Sequence, residues 1–173
     1  MNATSNQIEI VVEINGRTRT DLEPVRMHAA DYLRHKCGLT GTHVGCEQGI
    51  CGMCTVQVDG AVVKSCLMLA AQLDGKSVRT VETLASDEGL SPLQEAFKRH
   101  HALQCGYCTP GFLMVAQALE QRGKALTRDQ IREEINGVLC RCTGYEGIIR
   151  AIEEHLSTQA RLRDAAGGGH EHP

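Results

Sequence analysis

Hydrophobic positions change their period half-way along the chain. Ile8, Ile10, Val12 and Ile14 alternate with more polar neighbours, the period of two expected of a half-buried strand. Asn15-Gly16 follows, and both positions tolerate positive φ, so the pair predicts a two-residue hairpin turn with Arg17 to Leu22 returning. Ala29 to Lys36 reads as a short helix with Tyr32 and Leu33 toward the core. The alternation resumes at Val56 and Val58, Asp59-Gly60 predicts a second hairpin, and Ala61 to Lys64 returns. Ser77 to Val81 completes the strands. In the register of the second hairpin, Cys54 lies across from Ser65 and Cys66 across from Met53. The fold therefore brings Cys54 and Cys66 together despite their separation in sequence.

After the polar break Ser86-Asp87-Glu88-Gly89 the period becomes helical. Leu93, Ala96 and Phe97 mark one apolar face, and Phe112, Val115, Ala116 and Leu119 a second. Ile131 with Ile135, and Ile148, Ile149, Ile152 and Leu156, mark two more. Three starts carry a capping box, a Ser or Thr followed three residues later by Glu or Gln. They are Ser91 with Gln94, Thr127 with Gln130, and Thr143 with Glu146. Pro92 and Pro110 stand where proline opens helices, and Thr109 is placed to cap the second of these. The pattern predicts an α+β chain: a sheet domain over residues 6–84, a four-helix domain over 90–158, and a disordered charged and glycine-rich tail over 161–173.

Composition explains how two such small units could be stable. The chain has 173 residues, no Trp and only 3% aromatic residues. Units of roughly 80 residues are marginal on apolar burial alone, and ligated metal is a common supplement. A formal net charge of −3 supplies no basic footprint for nucleic acid. The longest apolar stretch, around Phe112 to Leu119, is too short to cross a bilayer. Met1 to Gln7 lacks the basic and apolar regions of a signal peptide, so the expected location is the cytoplasm. There, nine cysteines point to metal ligation rather than to a disulfide framework.

Eight of those cysteines fall into two groups of four. Cys46, Cys51, Cys54 and Cys66 have the spacing C-x4-C-x2-C-x11-C, which is that of plant-type 2Fe–2S ferredoxins. The glycine-dense loop around them suits an anionic cluster, because tight wrapping brings backbone N–H donors to sulfur. Zinc sites more often pair two C-x2-C units or include His. Cys105, Cys108, Cys140 and Cys142 have the spacing C-x2-C-x31-C-x-C. Each of these pairs lies just before a predicted helix start, at Thr109-Pro110 and at Thr143, where the dipole favours negative charge. Spacing alone leaves this second group open between zinc and iron–sulfur.

Three motifs in order carry a resemblance over Ile8 to Leu156. They are Gly45-Cys46-Glu47-Gln48-Gly49-Ile50-Cys51-Gly52-Met53-Cys54, Gln104-Cys105-Gly106-Tyr107-Cys108-Thr109-Pro110-Gly111, and Cys140-Arg141-Cys142-Thr143-Gly144-Tyr145. The chain resembles the iron–sulfur subunit of the molybdenum hydroxylases, the xanthine dehydrogenase and aldehyde oxidoreductase family, which includes carbon monoxide dehydrogenase small subunits. The resemblance implies a β-grasp ferredoxin domain followed by a four-helix domain, each with a 2Fe–2S cluster ligated by its four cysteines. It implies a large subunit carrying molybdopterin beside the helical domain and a medium subunit carrying FAD nearer the first cluster. A heterotrimer or a dimer of heterotrimers is the implied assembly. Gln104 would hydrogen-bond the pterin, and Cys142 would combine cluster ligation with pterin contact. Electrons would pass from molybdenum through both clusters to flavin, and substrate chemistry would belong to the assembly.

Met53 is bulkier than the family's common residue at that position. Cys37 stands outside both groups and reads as a small buried hydrophobe. His170 and His172 read as part of a solvated tail, and His100 and His101 as residues serving the end of a helix. Two other readings compete: a free-standing ferredoxin-like carrier and a zinc-stabilised interaction module. A lone shuttle would not need the helical domain, and iron with labile sulfide would separate either carrier from a colourless zinc module.

Overall fold

The computed structural model describes residues 6–87 and 89–167. Strands β1 (Gln7–Ile14) and β2 (Arg17–Pro24) form an antiparallel hairpin. Its turn residues, Asn15 and Gly16, both take positive φ. A second hairpin joins β3 (Thr55–Val58) to β4 (Ala61–Lys64) across Asp59-Gly60. Strand β5 (Ser77–Arg79) lies between the hairpins, parallel to β1 and antiparallel to β3, giving the order β2-β1-β5-β3-β4. Ile10, Val12, Ile14, Val56, Val58 and Val78 face one core, which Tyr32 and Leu33 close from the other side.

Several elements depart from the sequence expectation, each for a local reason. β5 ends at Arg79 rather than Val81, because Thr80 turns aside to bond Asn15. Its N–H donates to Asn15 Oδ1, and Asn15 Nδ2 donates to Thr80 Oγ1, both at 2.9 Å. The expected helix over Ala29 to Lys36 is one turn of α1 (Ala29–Asp31) running into a π-helical turn, Tyr32–Lys36. Gln57, which the alternation would turn to solvent, is 1% exposed. The helical half covers the outer face of β3, and Gln57 Nε2 donates to the carbonyl of Met114.

Helices α2 (Pro92–Arg99), α3 (Thr109–Arg122), α4 (Arg128–Glu134) and α5 (Glu146–Gly167) form the second half. Phe97, Phe112, Leu119, Ile131, Ile135, Ile148 and Ile152 meet in its core. The capping boxes at Ser91 and Thr127 form as expected, each hydroxyl accepting the N–H three residues on. The third does not. Gly144 and Tyr145 both have positive φ, so the helix starts at Glu146 instead of Thr143. Glu146 turns its carboxylate to Arg128 and Arg150. Thr109 is the first residue of α3 rather than its cap, and Cys108 takes the cap position. α5 runs on through Gly167, into the stretch expected to be disordered. His170 and His172 lie outside the described residues. His100 ends α2, and its ring meets Glu154 of α5 at 2.5 Å.

Candidate metal centres

The first group of thiols is built by a loop and a hairpin end. Cys46 and Cys51 stand on the loop between the π turn and β3. Cys54 immediately precedes β3, and Cys66 stands in the short turn Ser65–Leu67 that follows β4. The hairpin register continues past the strands: Ser65 donates to the Cys54 carbonyl through its N–H at 3.2 Å and its hydroxyl at 2.7 Å. Cys54 and Cys66 thus become side-chain neighbours, as the sequence register required. Cys51, Cys54 and Cys66 are buried and Cys46 is half-buried.

Backbone donors surround the more open sulfur. Cys46 Sγ accepts the N–H groups of Cys51 and Gln48, each at 3.4 Å. These donors pull its thiol down to about 6. Burial pushes the Cys66 thiol up to about 11, against a hydrogen bond from the Gly49 N–H. A metal's positive charge would remove such opposition and deprotonate the sulfur outright.

The second group lies across two loops of the helical half. Cys105 and Cys142 are exposed, with their sulfurs 3.6 Å apart. Cys108 and Cys140 face each other on the inner side. Burial and the neighbouring Cys140 push the Cys108 thiol up to about 12. At Cys140 burial acts in the same sense, but the hydroxyl and N–H of Thr143 and the N–H of Cys142 outweigh it and lower the thiol. Gln104 is exposed beside Cys105. Cys37 is half-buried beside Tyr32, remote from both groups in its contacts, and burial raises its thiol.

The arrangement discriminates between metals. Among the described residues, no three side chains of metal-binding type converge on one point. The thiols come instead in facing pairs: Cys46 with Cys51, Cys54 with Cys66, Cys105 with Cys142, and Cys108 with Cys140. A single tetrahedral zinc wants four ligands about one centre. A 2Fe–2S rhomb wants two thiolates at each end, so the donor set fits it.

Sequence patterns did not reveal how the two groups are tied together. The N–H of Leu139, the residue before Cys140, donates to the carbonyl of Cys51 at 2.9 Å. A backbone hydrogen bond thus links the two cysteine loops. Gly52 makes this approach possible: a Cβ there would run into the carbonyl of Gly137, and one on Gly111 would lie 2.5 Å from the carbonyl of Gly52. The rings of His43 and Tyr107 stack at 4.7 Å across the same junction. Tyr107 donates its hydroxyl to the Val44 carbonyl, and His43 Nδ1 bonds the Tyr107 carbonyl, both at 2.8 Å.

Comparison with known proteins places both halves of the chain in iron–sulfur families. Residues 12–85 match the family described as a 2Fe-2S iron-sulfur cluster binding domain, and residues 80–153 match a 2Fe-2S binding domain. The nicotine 6-hydroxylase small subunit of Paenarthrobacter nicotinovorans is 57% identical over 148 residues, covering 86% of this chain and 89% of that one. The xanthine dehydrogenase iron-sulfur-binding subunit of Escherichia coli O157:H7 is 42% identical, covering 86% and 94%. The chain belongs to the iron–sulfur subunit family of the molybdenum hydroxylases. Among solved structures, quinoline 2-oxidoreductase from Pseudomonas putida 86 superposes with a TM-score of 0.87 at 50% identity, covering 91% of this chain and 98% of that one. The α+β order of a ferredoxin-like domain followed by a helical one is that of the family. An iron–sulfur subunit of this family transfers electrons within a multi-subunit oxidoreductase. No helix among the described residues is long and apolar enough to cross a membrane.

Proposed function

We propose that the eight paired cysteines ligate two 2Fe–2S centres that relay electrons from a molybdopterin in a large subunit to FAD in a medium subunit. Cys46 and Cys51 would hold one iron of the first centre, and Cys54 and Cys66 the other. Cys105 with Cys142, and Cys108 with Cys140, would divide the second centre in the same way. The observation that carries this reading is the pairing of the thiols, supported by the hydrogen bond from Leu139 to Cys51 that joins the two groups.

A bound 2Fe–2S centre supplies one-electron storage without bond-making. This chain's residues do the rest. N–H groups of Gln48, Cys51 and Gly49 hold negative charge on the first set of sulfurs. Buried Cys51, Cys54 and Cys66 keep water from it. The route enters at the exposed edge of Gln104, Cys105 and Cys142, where Gln104 would hydrogen-bond the pterin and Cys142 would touch it. It then crosses through Cys140, Leu139 and Cys51, a path of covalent bonds and one hydrogen bond. It leaves on the side of half-buried Cys46. An exposed Cys105–Cys142 edge suits a subunit covered by a partner better than a free-standing carrier. The assembly would be a heterotrimer or a dimer of heterotrimers. Because the relatives' names specify nicotine, xanthine and quinoline, the proposed substrate class is nitrogen heterocycles, selected by the large subunit.

The test is spectroscopic. Two 2Fe–2S centres require about four iron and four labile sulfide per chain, and two separate EPR signals in the reduced complex. Cys142→Ser should abolish one signal and block flavin reduction by substrate, whereas Cys46→Ser should disturb the other. A colourless zinc protein would overturn the reading, and so would a Cys142→Ser complex with both signals intact.

A further inference from the structure

The loop from Cys140 to Tyr145 is closed by hydrogen bonds that converge on one sulfur. Thr143 donates its N–H to Cys140 Sγ at 3.4 Å, and its Oγ1 lies 3.1 Å from the same sulfur. The N–H of Tyr145 donates to Thr143 Oγ1 at 3.1 Å, and the N–H of Cys140 donates to the Tyr145 hydroxyl at 2.9 Å. In sequence, Thr143 and Glu146 carry the same capping signature that forms at Ser91 and Thr127. Here the positive φ of Gly144 and Tyr145 delays the helix, and Glu146 is held by two arginines. The hydroxyl that the signature assigns to a helix end is therefore available to sulfur.

Donor and acceptor are fixed by chemistry. The Tyr145 N–H occupies one lone pair of Thr143 Oγ1, which leaves the hydroxyl proton free to turn away. A thiolate ligand has no proton to give. The bond therefore runs from Thr143 Oγ1–H to Cys140 Sγ.

We infer that Thr143 tunes the second centre: its hydroxyl, aimed at Cys140 Sγ, raises that centre's reduction potential above what the four thiolates alone would set. This rests on the proposed ligation by Cys140. One-electron reduction adds one negative charge to the centre, and the Thr143 proton stays on oxygen throughout. The attraction between the O–H dipole and sulfur grows with that charge, so the reduced state gains more than the oxidised one. Cys140 is also the ligand next to Leu139, so the tuned sulfur stands at the crossing toward Cys51.

The experiment is a redox titration of the whole complex, following each EPR signal separately, in wild type, Thr143→Val and Thr143→Ser. Thr143→Val is expected to shift the second centre's reduction equilibrium about tenfold toward the oxidised form, about 59 mV lower for a one-electron couple. The first centre should not move, and Thr143→Ser should titrate with wild type. An unmoved second centre in Thr143→Val overturns the inference, as does an equal shift of both centres or a failure of serine to restore the potential. If valine loses the second centre, Thr143→Ala replaces it. Alanine titrating below serine supports tuning, and alanine titrating with serine overturns it. Loss of the centre from both the valine and alanine variants overturns tuning in favour of a purely structural role. Cys140→Ser, measured in parallel, separates the two claims: an unchanged second signal there defeats the ligand assignment itself.

Discussion

Gly52→Ala tests whether the contact between the halves is as tight as its geometry requires. Gly52 has φ +71, and a Cβ there would meet the Gly137 carbonyl and lie 2.9 Å from Val138 Cα. Both obstacles are backbone, which cannot rotate aside. Gly60 is the natural control, with φ +79 and nothing within 4 Å of its would-be Cβ. Placing alanine in the left-handed region costs about 1–2 kcal/mol at either position. Overpacking at Gly52 adds about 1–3 kcal/mol. For a chain of this size each kcal/mol lowers the melting midpoint by roughly 2–4 °C. Gly60→Ala should therefore melt roughly 2–8 °C early, and Gly52→Ala roughly 4–20 °C early. The midpoint is read from loss of visible absorbance in the assembled complex. Parting the backbones would also lengthen the bond from Leu139 to Cys51, so substrate should reduce the flavin more slowly in Gly52→Ala alone. Equal melting shifts in the two variants, with equal flavin reduction, would refute the reasoning.

Three further outcomes follow from residues other than the cysteines. Ser91→Ala and Thr127→Ala should each cost about 1 kcal/mol in denaturant titrations, because both hydroxyls cap helices. Phe112→Ala should cost about 3–5 kcal/mol by the same assay, since Phe112 is fully buried and edge-on to Tyr145. Hydrogen bonds from Arg19 and the Tyr32 hydroxyl hold the Asp21 carboxyl below its usual 3.8. Its folded pKa lies below its unfolded one, so the stability it contributes is present above the unfolded value and lost as pH falls through the folded one. Asp21→Asn should flatten that acid-side decline in denaturation midpoints measured between about pH 5 and pH 2, and an unchanged slope would count against the pairing.

The sequence was most legible where structure is decided within a few residues. Asn15-Gly16 and Asp59-Gly60 announced both hairpins, and with them the meeting of Cys54 and Cys66. Capping boxes at Ser91 and Thr127 were legible for the same reason. Thr143 with Glu146 shows the limit, because an identical signature yielded to a nearby sulfur, two arginines and a left-handed Gly144-Tyr145 pair. The helical run from Arg161 to Gly167 was hidden by its charge; Arg163 helps hold it by donating to the Glu120 carbonyl at 2.9 Å. Least legible was the junction. His43 and Tyr107 are 64 residues apart, and a backbone carbonyl meeting a backbone N–H, as at Cys51 and Leu139, leaves no trace in residue type. The burial of Gln57 was hidden for a related reason, since alternation records which residues face the sheet's own core but not what covers its other face.

The exposure of Cys105 and Cys142 has a practical consequence for handling this subunit. Prepared without its partners, it would present the outer end of its second iron–sulfur pair to air. Damage would begin at that corner, while the deeper ferredoxin-type end stayed intact for longer. A solitary preparation should bleach in two stages, and the earlier stage should vanish once the partner subunits are present.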